Sequence, residues 1–285
     1  LTDNSFPFFD ATILPAGQRI ALAVEYDGSS YHGWQIQKHC PDQTVQGCVE
    51  KALATVANMP VRIHCAGRTD SGVHASQQIV HFDAPVGRSP KAWVMGVNAH
   101  LENSVAVKWA VPVESDFHAR FSAQYRRYRY IVYNSSVRTA VMSGKVSWEK
   151  MVLDEALMNR EAQFLLGEQD FSAFRAASCQ SRTPMRCVHK ASVTRVADIL
   201  VIDIQANAFL HHMVRNIAGV LLDVGSGRRN PGWTAEVLAS CDRSSAGITA
   251  SPDGLYLVDV GYPEHYGLPK PMLGPVFIPS GFSDC

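Results

Sequence analysis

The sequence predicts an α+β protein of two lobes, with mainly antiparallel sheet whose two halves join around a central cleft. Three observations predict it. Stretches of period-two hydrophobic alternation interchange with stretches of period 3.6, and the order strand, helix, strand, strand occurs twice along the chain. The composition is that of a folded protein, 46% hydrophobic and 18% charged over 285 residues, which excludes disorder, a collagen-like repeat and a simple coiled coil. The expected organisation is an N-terminal tail at 1–18, one lobe at 19–117, a second at 118–265 and a Pro-rich, extended tail at 266–285.

Ile20, Leu22, Val24 and Tyr26 alternate with Ala21, Ala23 and Glu25 and stop at Asp27-Gly28, which predicts a strand and a turn. Thr44 can cap the helix that follows, since Val45, Val49, Ala52, Leu53 and Val56 fall at offsets 0, 4, 7, 8 and 11 on one stripe. Strands are expected over residues 61–66 and 78–82, joined by the loop GRTDSGVHA. The second round opens at Arg127, where Tyr128, Tyr130 and Val132 alternate with Arg129, Ile131 and Tyr133. A helix is expected over 154–166, strands over 187–196 and 200–208, and a long helix over 209–224 with Gly225 as its stop.

Twenty-six basic residues balance twenty-six acidic ones, so net charge gives no argument for a polyanionic partner. Their distribution does. Residues 119–148 hold six basic side chains, Arg126 among them, and 171–197 hold five, Arg182 among them; neither stretch has an acid, and the remainder is left with 15 basic against 26 acidic residues. Two readings stand: one face that meets a polyanion, or two solvated strand faces. Seven cysteines with no C-x-x-C pair fit reduced thiols rather than a disulfide framework or a zinc knuckle. The opening residues lack a basic, apolar leader, and no segment reaches the roughly 18 apolar residues of a membrane span, so a soluble, cytoplasmic protein is expected.

Three groups of residues offer chemistry. The loop around Asp70 reads by composition as turn chemistry or as a presented carboxylate, and it lacks a phosphate-cradling pattern. Arg215 falls off the apolar stripe of its helix, pointing to solvent or into a cleft where it would hold a nearby carboxylate ionised. The adjacent His211 and His212 diverge on that helix and do not make a metal pair. In Tyr125-Arg126-Arg127-Tyr128-Arg129-Tyr130, alternation puts tyrosines on one face and Arg127 and Arg129 on the other, either to stack bases beside phosphates or to pack an edge strand.

AGRTDSGVHA, with VEYDGSSYHGWQIQ and TVQG before it and VNAHL, DFHARFSAQYRRYRYIVYN, FSAFRA, SRTP, NAFLHHMVRNI and GLYLVDVGYP after it, resembles the tRNA pseudouridine synthase A family from about Arg19 to Pro275. That resemblance implies two ferredoxin-like (RRM-like) lobes, a homodimer, tRNA as partner and an isomerase that converts uridine to pseudouridine at positions 38–40 of the anticodon stem-loop without metal or organic cofactor. It implies Asp70 as nucleophile, Arg215 as the partner of its charge, Tyr128 stacked on the target uracil, Leu255 closing the apolar side, and Arg68 displacing the target base. Ser71 stands where many relatives carry Ala, a small change. The rival readings are a non-catalytic RNA-binding or RNA-folding protein, and a metal-dependent hydrolase built on Asp70 and His74, for which the Gly-broken loop is a poor ligand frame.

Overall fold

The structure is a computed structural model that describes residues 10–37, 39–270 and 272–278. The expected tails lie partly outside the described residues, as does Cys285. The chain forms two compact units, Leu1–Gln124 with Asp259–Gly274, and Tyr125–Val258 with Pro275–Cys285.

The first unit contains β1 (Arg19–Tyr26), α1 (Val45–Ala57), β2 (His64–Cys65), β3 (His74–Asp83), α2 (Pro90–Asn98) and β4 (Val105–Pro112). Its strands run antiparallel in the order β4-β1-β3-β2, the ferredoxin-like arrangement. Ile20 to Val24 are buried on both faces of the sheet. Thr44 caps α1 as expected, its Oγ1 accepting from the Gly47 N–H, and the apolar stripe Val45, Val49, Ala52, Leu53 is buried. The expected strand at 61–66 shrinks to two residues. Ile63 donates its N–H to the Glu50 carboxylate of α1 instead of to a sheet neighbour, so pairing begins at His64. β3 in turn starts earlier than expected, which draws His74 out of the loop and into the strand. The helix α2 and strand β4 were not expected; Ser89 caps α2, with Pro90 in its first turn.

The second unit contains β5 (Tyr125–Asn134), β6 (Ser147–Glu149), α3 (Glu155–Gln163), β7 (Gly167–Asp170), β8 (Met185–Val196), β9 (Ile199–Ala206), α4 (Met213–Gly225), α5 (Trp233–Ser240) and β10 (Leu255–Gly261), whose last three residues already belong to the first unit. The order β10-β5-β9-β8 repeats that of the first unit, with β7 added beyond β8 and β6 added parallel to β5. β5 is thus an interior strand, not an edge.

Two expectations for the long helix are corrected. α4 starts at Met213, because His212 takes a left-handed backbone, φ 63°, at its N-cap; His211 and His212 precede the helix, their rings 4.0 Å apart. Gly225 ends the helix without a left-handed stop, and a Cβ there would collide with the Met158 side chain of α3. Its smallness serves helix packing. Likewise α3 closes at Gln163 rather than residue 166, and β9 ends at Ala206, where the Asn207 side chain accepts from the Cys187 and Ala208 N–H groups and turns the chain.

Candidate active site

In the first unit the Asp70 loop is clamped from three sides. Gln78 of β3 forms a two-way bridge to the Gly67 backbone, accepting from its N–H and donating to its carbonyl. Thr69 is buried, with its Oγ1 2.8 Å from the Tyr26 hydroxyl and its carbonyl accepting from the Trp34 N–H. Beyond Asp70, the Val73 N–H returns to the Asp70 carbonyl at 3.2 Å, and both Ser71 Oγ and the Gly72 N–H donate to the Tyr31 carbonyl. Gly72 sits at φ 79°, so the turn after Asp70 needs glycine there.

The segment after β1 lies directly on this loop. A Cβ at Gly33 would stand 2.7 Å from the Thr69 carbonyl oxygen, and one at Gly28 would collide with the Val73 carbonyl. Backbone therefore meets backbone, and the half-buried Asp70 is presented from a stiff frame next to the exposed Arg68. His74 is held elsewhere: it is 1% exposed, its Nδ1 accepts from the Gly28 N–H at 3.0 Å and lies 3.2 Å from Asp27 Oδ1. That engagement is contrary to a ligand pair with Asp70. Cys65, at the loop's start, has its thiol pushed up to about 11 by burial, against the pull of Arg68 and Arg120, and is inert at neutral pH.

In the second unit, β5 carries Tyr128 and Tyr130 on one face. Tyr128 is buried with its ring edge-on to Phe209 at 5.0 Å. Tyr130 donates its hydroxyl to the Ser251 carbonyl, and burial pushes that hydroxyl up to about 12 although Arg215 nearby favours its ionised form. Arg215 is fixed by its own donation to the Ala250 carbonyl at 2.8 Å, while the Ala250 N–H returns to the Arg215 carbonyl. Behind it, Asn216 is a buried hub: it accepts from Arg243 and Thr249 and donates to the Phe174 carbonyl. Leu255 is buried at the start of β10.

The opposite face of β5 corrects the expectation of guanidinium groups beside phosphates. Arg127 forms a bidentate pair with Asp203 of β9, both contacts at 2.7 Å, and Arg129 reaches the same carboxylate at 3.1 Å; all three side chains are buried. Asp203, Gln78, Gly28 and Gly33 are site-building residues that the sequence analysis missed. Arg126 is 9% exposed and donates to the Asn207 carbonyl, whereas Arg182 stands exposed on a loop tied from inside by Arg175 and Arg186.

The family model described as tRNA pseudouridine synthase matches residues 22–122 and 162–263. The chain is 54% identical over 261 residues to the tRNA pseudouridine synthase A of Coxiella burnetii, covering 92% of this chain and 99% of that protein. It is 55% identical over 260 residues to the tRNA pseudouridine synthase A of Shewanella loihica, covering 91% and 99%. A chain of the solved Cbf5-Nop10-Gar1 complex overlaps at 11% identity and a TM-score of 0.28, over 71% of this chain and 45% of that one, which is too slight to bear on the fold. The chain belongs to the tRNA pseudouridine synthase family. Among the described residues no helix is long and apolar enough to cross a membrane.

Proposed function

We propose that this protein isomerises uridine to pseudouridine in tRNA, at positions 38–40 of the anticodon stem-loop, with Asp70 as the nucleophile. The reaction exchanges the N1–C1′ bond for a C5–C1′ bond; the C5 proton leaves to solvent and N1 takes one up, so atoms balance and no electrons are gained or lost. One carboxylate suffices as nucleophile. The observation that carries the reading is the clamped loop that holds Asp70 half-exposed beside Arg68, within a chain matched to the family along both units.

Arg68 displaces the target base from its stack, a step that costs a few kcal/mol of unstacking, offset by stacking and phosphate contacts. Tyr128 stacks on the extruded uracil, Leu255 closes its apolar side, and the fixed guanidinium of Arg215 pairs with the charge of the nucleophile. Arg182, exposed, meets phosphate, whereas Arg126, buried and donating to the Asn207 carbonyl, holds β5 in place. The protein acts in the cytoplasm as a homodimer and needs no metal or organic cofactor. Sequencing-based pseudouridine mapping of unmodified tRNA incubated with the purified protein tests the assignment. New signal confined to positions 38–40 is expected; signal at other positions, or none, defeats it.

A further inference from the structure

We propose that Phe121 is a stacking platform for a second nucleobase of the bound tRNA, with Arg120 beside it to meet that nucleotide's phosphate. The inference rests on the tRNA reading above and adds a contact made by residues to which that reading gives no role.

Phe121 is 74% exposed, and no other phenylalanine or tryptophan among the described residues is more than half exposed. A loop that merely left a ring in water would have no reason to be rigid. This one is tied in both directions: the Ser122 N–H donates to the His118 carbonyl, the His118 N–H donates to Ser122 Oγ, and His118 Nδ1 accepts from the N–H groups of Arg120 and Phe121. The His118 ring in turn supports the phenylalanine at 4.4 Å and is braced edge-on against the buried His81 at 4.6 Å. His81 anchors the turn by accepting from the Ala119 N–H. The exposed ring is thus held in place by a stack that reaches into the core of the first unit.

The guanidinium of Arg120 lies 5.5 Å from the Phe121 ring centroid. An exposed π face that already holds a cation over it fits a nucleotide: the exposed arginine side chain yields the face to the base and turns to pair with its phosphate. The His118 ring also lies 5.4 Å from that of His64 on β2, the strand that leads into the Asp70 loop. Phe121 also lies at the start of the first acid-free stretch, 119–148. A base held there would fix the register of the RNA strand while the target uridine is turned out.

The test compares wild type with Phe121→Ala, Phe121→Leu and Phe121→Trp in three assays: tRNA affinity, single-turnover rate at saturating tRNA, and mass by light scattering. The alanine and leucine variants are expected to bind tRNA roughly ten- to a hundredfold more weakly, with the saturated rate within about threefold of wild type. The tryptophan variant should bind as wild type does, and its added fluorescence should be quenched by tRNA. Wild-type affinity in the alanine variant overturns the proposal. So does full rescue by leucine, which would mark a simple apolar contact, or a fall in mass that parallels the affinity loss, which would mark an interface between two copies of the chain. The affinity assays do not depend on turnover: a wild type that binds tRNA through Phe121 yet makes no pseudouridine would defeat the assigned reaction and leave the platform standing.

Discussion

In the first unit, eight residues (66–73) connect β2 to β3, and they carry Asp70. In the second unit the corresponding hairpin, β8 to β9, turns on Ala197 and Asp198 alone, with Ala197 in the left-handed region at φ 52°. The same strand order therefore serves two purposes. A long hairpin connection presents a side chain at one end of the sheet; a two-residue turn presents nothing, and the second unit offers its residues from the face of β5 and from α4 instead. The means of holding them differ too. The Asp70 loop is fixed by backbone packed on backbone at Gly28 and Gly33, whereas Tyr128 and Arg215 are fixed by side-chain networks centred on Asp203 and Asn216.

The charge balance differs in the same sense, and it shows why a run of basic residues is not yet a binding face. The first unit holds ten basic and thirteen acidic residues and the second sixteen and thirteen. Yet Arg126, Arg127, Arg129, Arg175, Arg186 and Arg195, all in the acid-free stretches, donate to carbonyls or side chains within the unit. Arg120, Arg138 and Arg182 are the exposed ones.

The largest expected effect separates the units by chemistry. Asp70→Asn should abolish isomerisation, by at least about a thousandfold, and leave tRNA affinity within about twofold, as measured by turnover and filter binding. Equal losses of rate and affinity would place the residue in binding instead. Next, Asp203→Ala removes the carboxylate shared by two buried guanidinium groups and should destabilise the second unit by about 3–5 kcal/mol in denaturant unfolding. The corresponding loss for an exposed pair such as Lys108–Glu25 is expected to be under about 1 kcal/mol.

A pH series sharpens the contrast further. Burial, with His118 and Arg19 nearby, pulls His81 of the first unit down to about 4. The unfolded chain protonates this histidine near 6.5, the folded chain only near 4, so stability is lost as pH falls through that window and levels off below it. The whole gap corresponds to about 3–4 kcal/mol, which solvent screening should reduce to roughly 2–3 kcal/mol. His81→Asn, which can still accept from the Ala119 N–H, should flatten the dependence; an unchanged slope would place the titrating group elsewhere. The smallest effect is Ala197→Gly, which relieves the left-handed turn and should stabilise by about 0.5–1 kcal/mol without altering turnover. A loss of activity there would give the short hairpin a role it lacks in this account.

Much of the strand and helix order was legible because periodicity and caps are local. Thr44 before the Val45 stripe and the alternation from Ile20 are written in neighbouring residues. Residues that act at a distance were not legible: nothing near Asp203 announces that it will meet side chains 74 and 76 residues earlier, and nothing at Gly28 announces Val73. The helix α2 and strand β4 fall outside the expected order although Ser89-Pro90 and the alternation in Val105–Pro112 are local signals. Asp70 was the reverse case. Its composition reads as an ordinary turn, and only the order of motifs along the whole chain singled it out.

The central claim is that the carboxylate of Asp70 drives an isomerisation rather than a cleavage. tRNA carrying tritium at C5 of uridine tests it most directly, since forming the C5–C1′ bond expels that hydrogen. Wild type should release tritium in proportion to the pseudouridine formed and leave every strand intact, and Asp70→Asn should release none. Tritium release that persists in Asp70→Asn, or new strand ends without release in wild type, would contradict it.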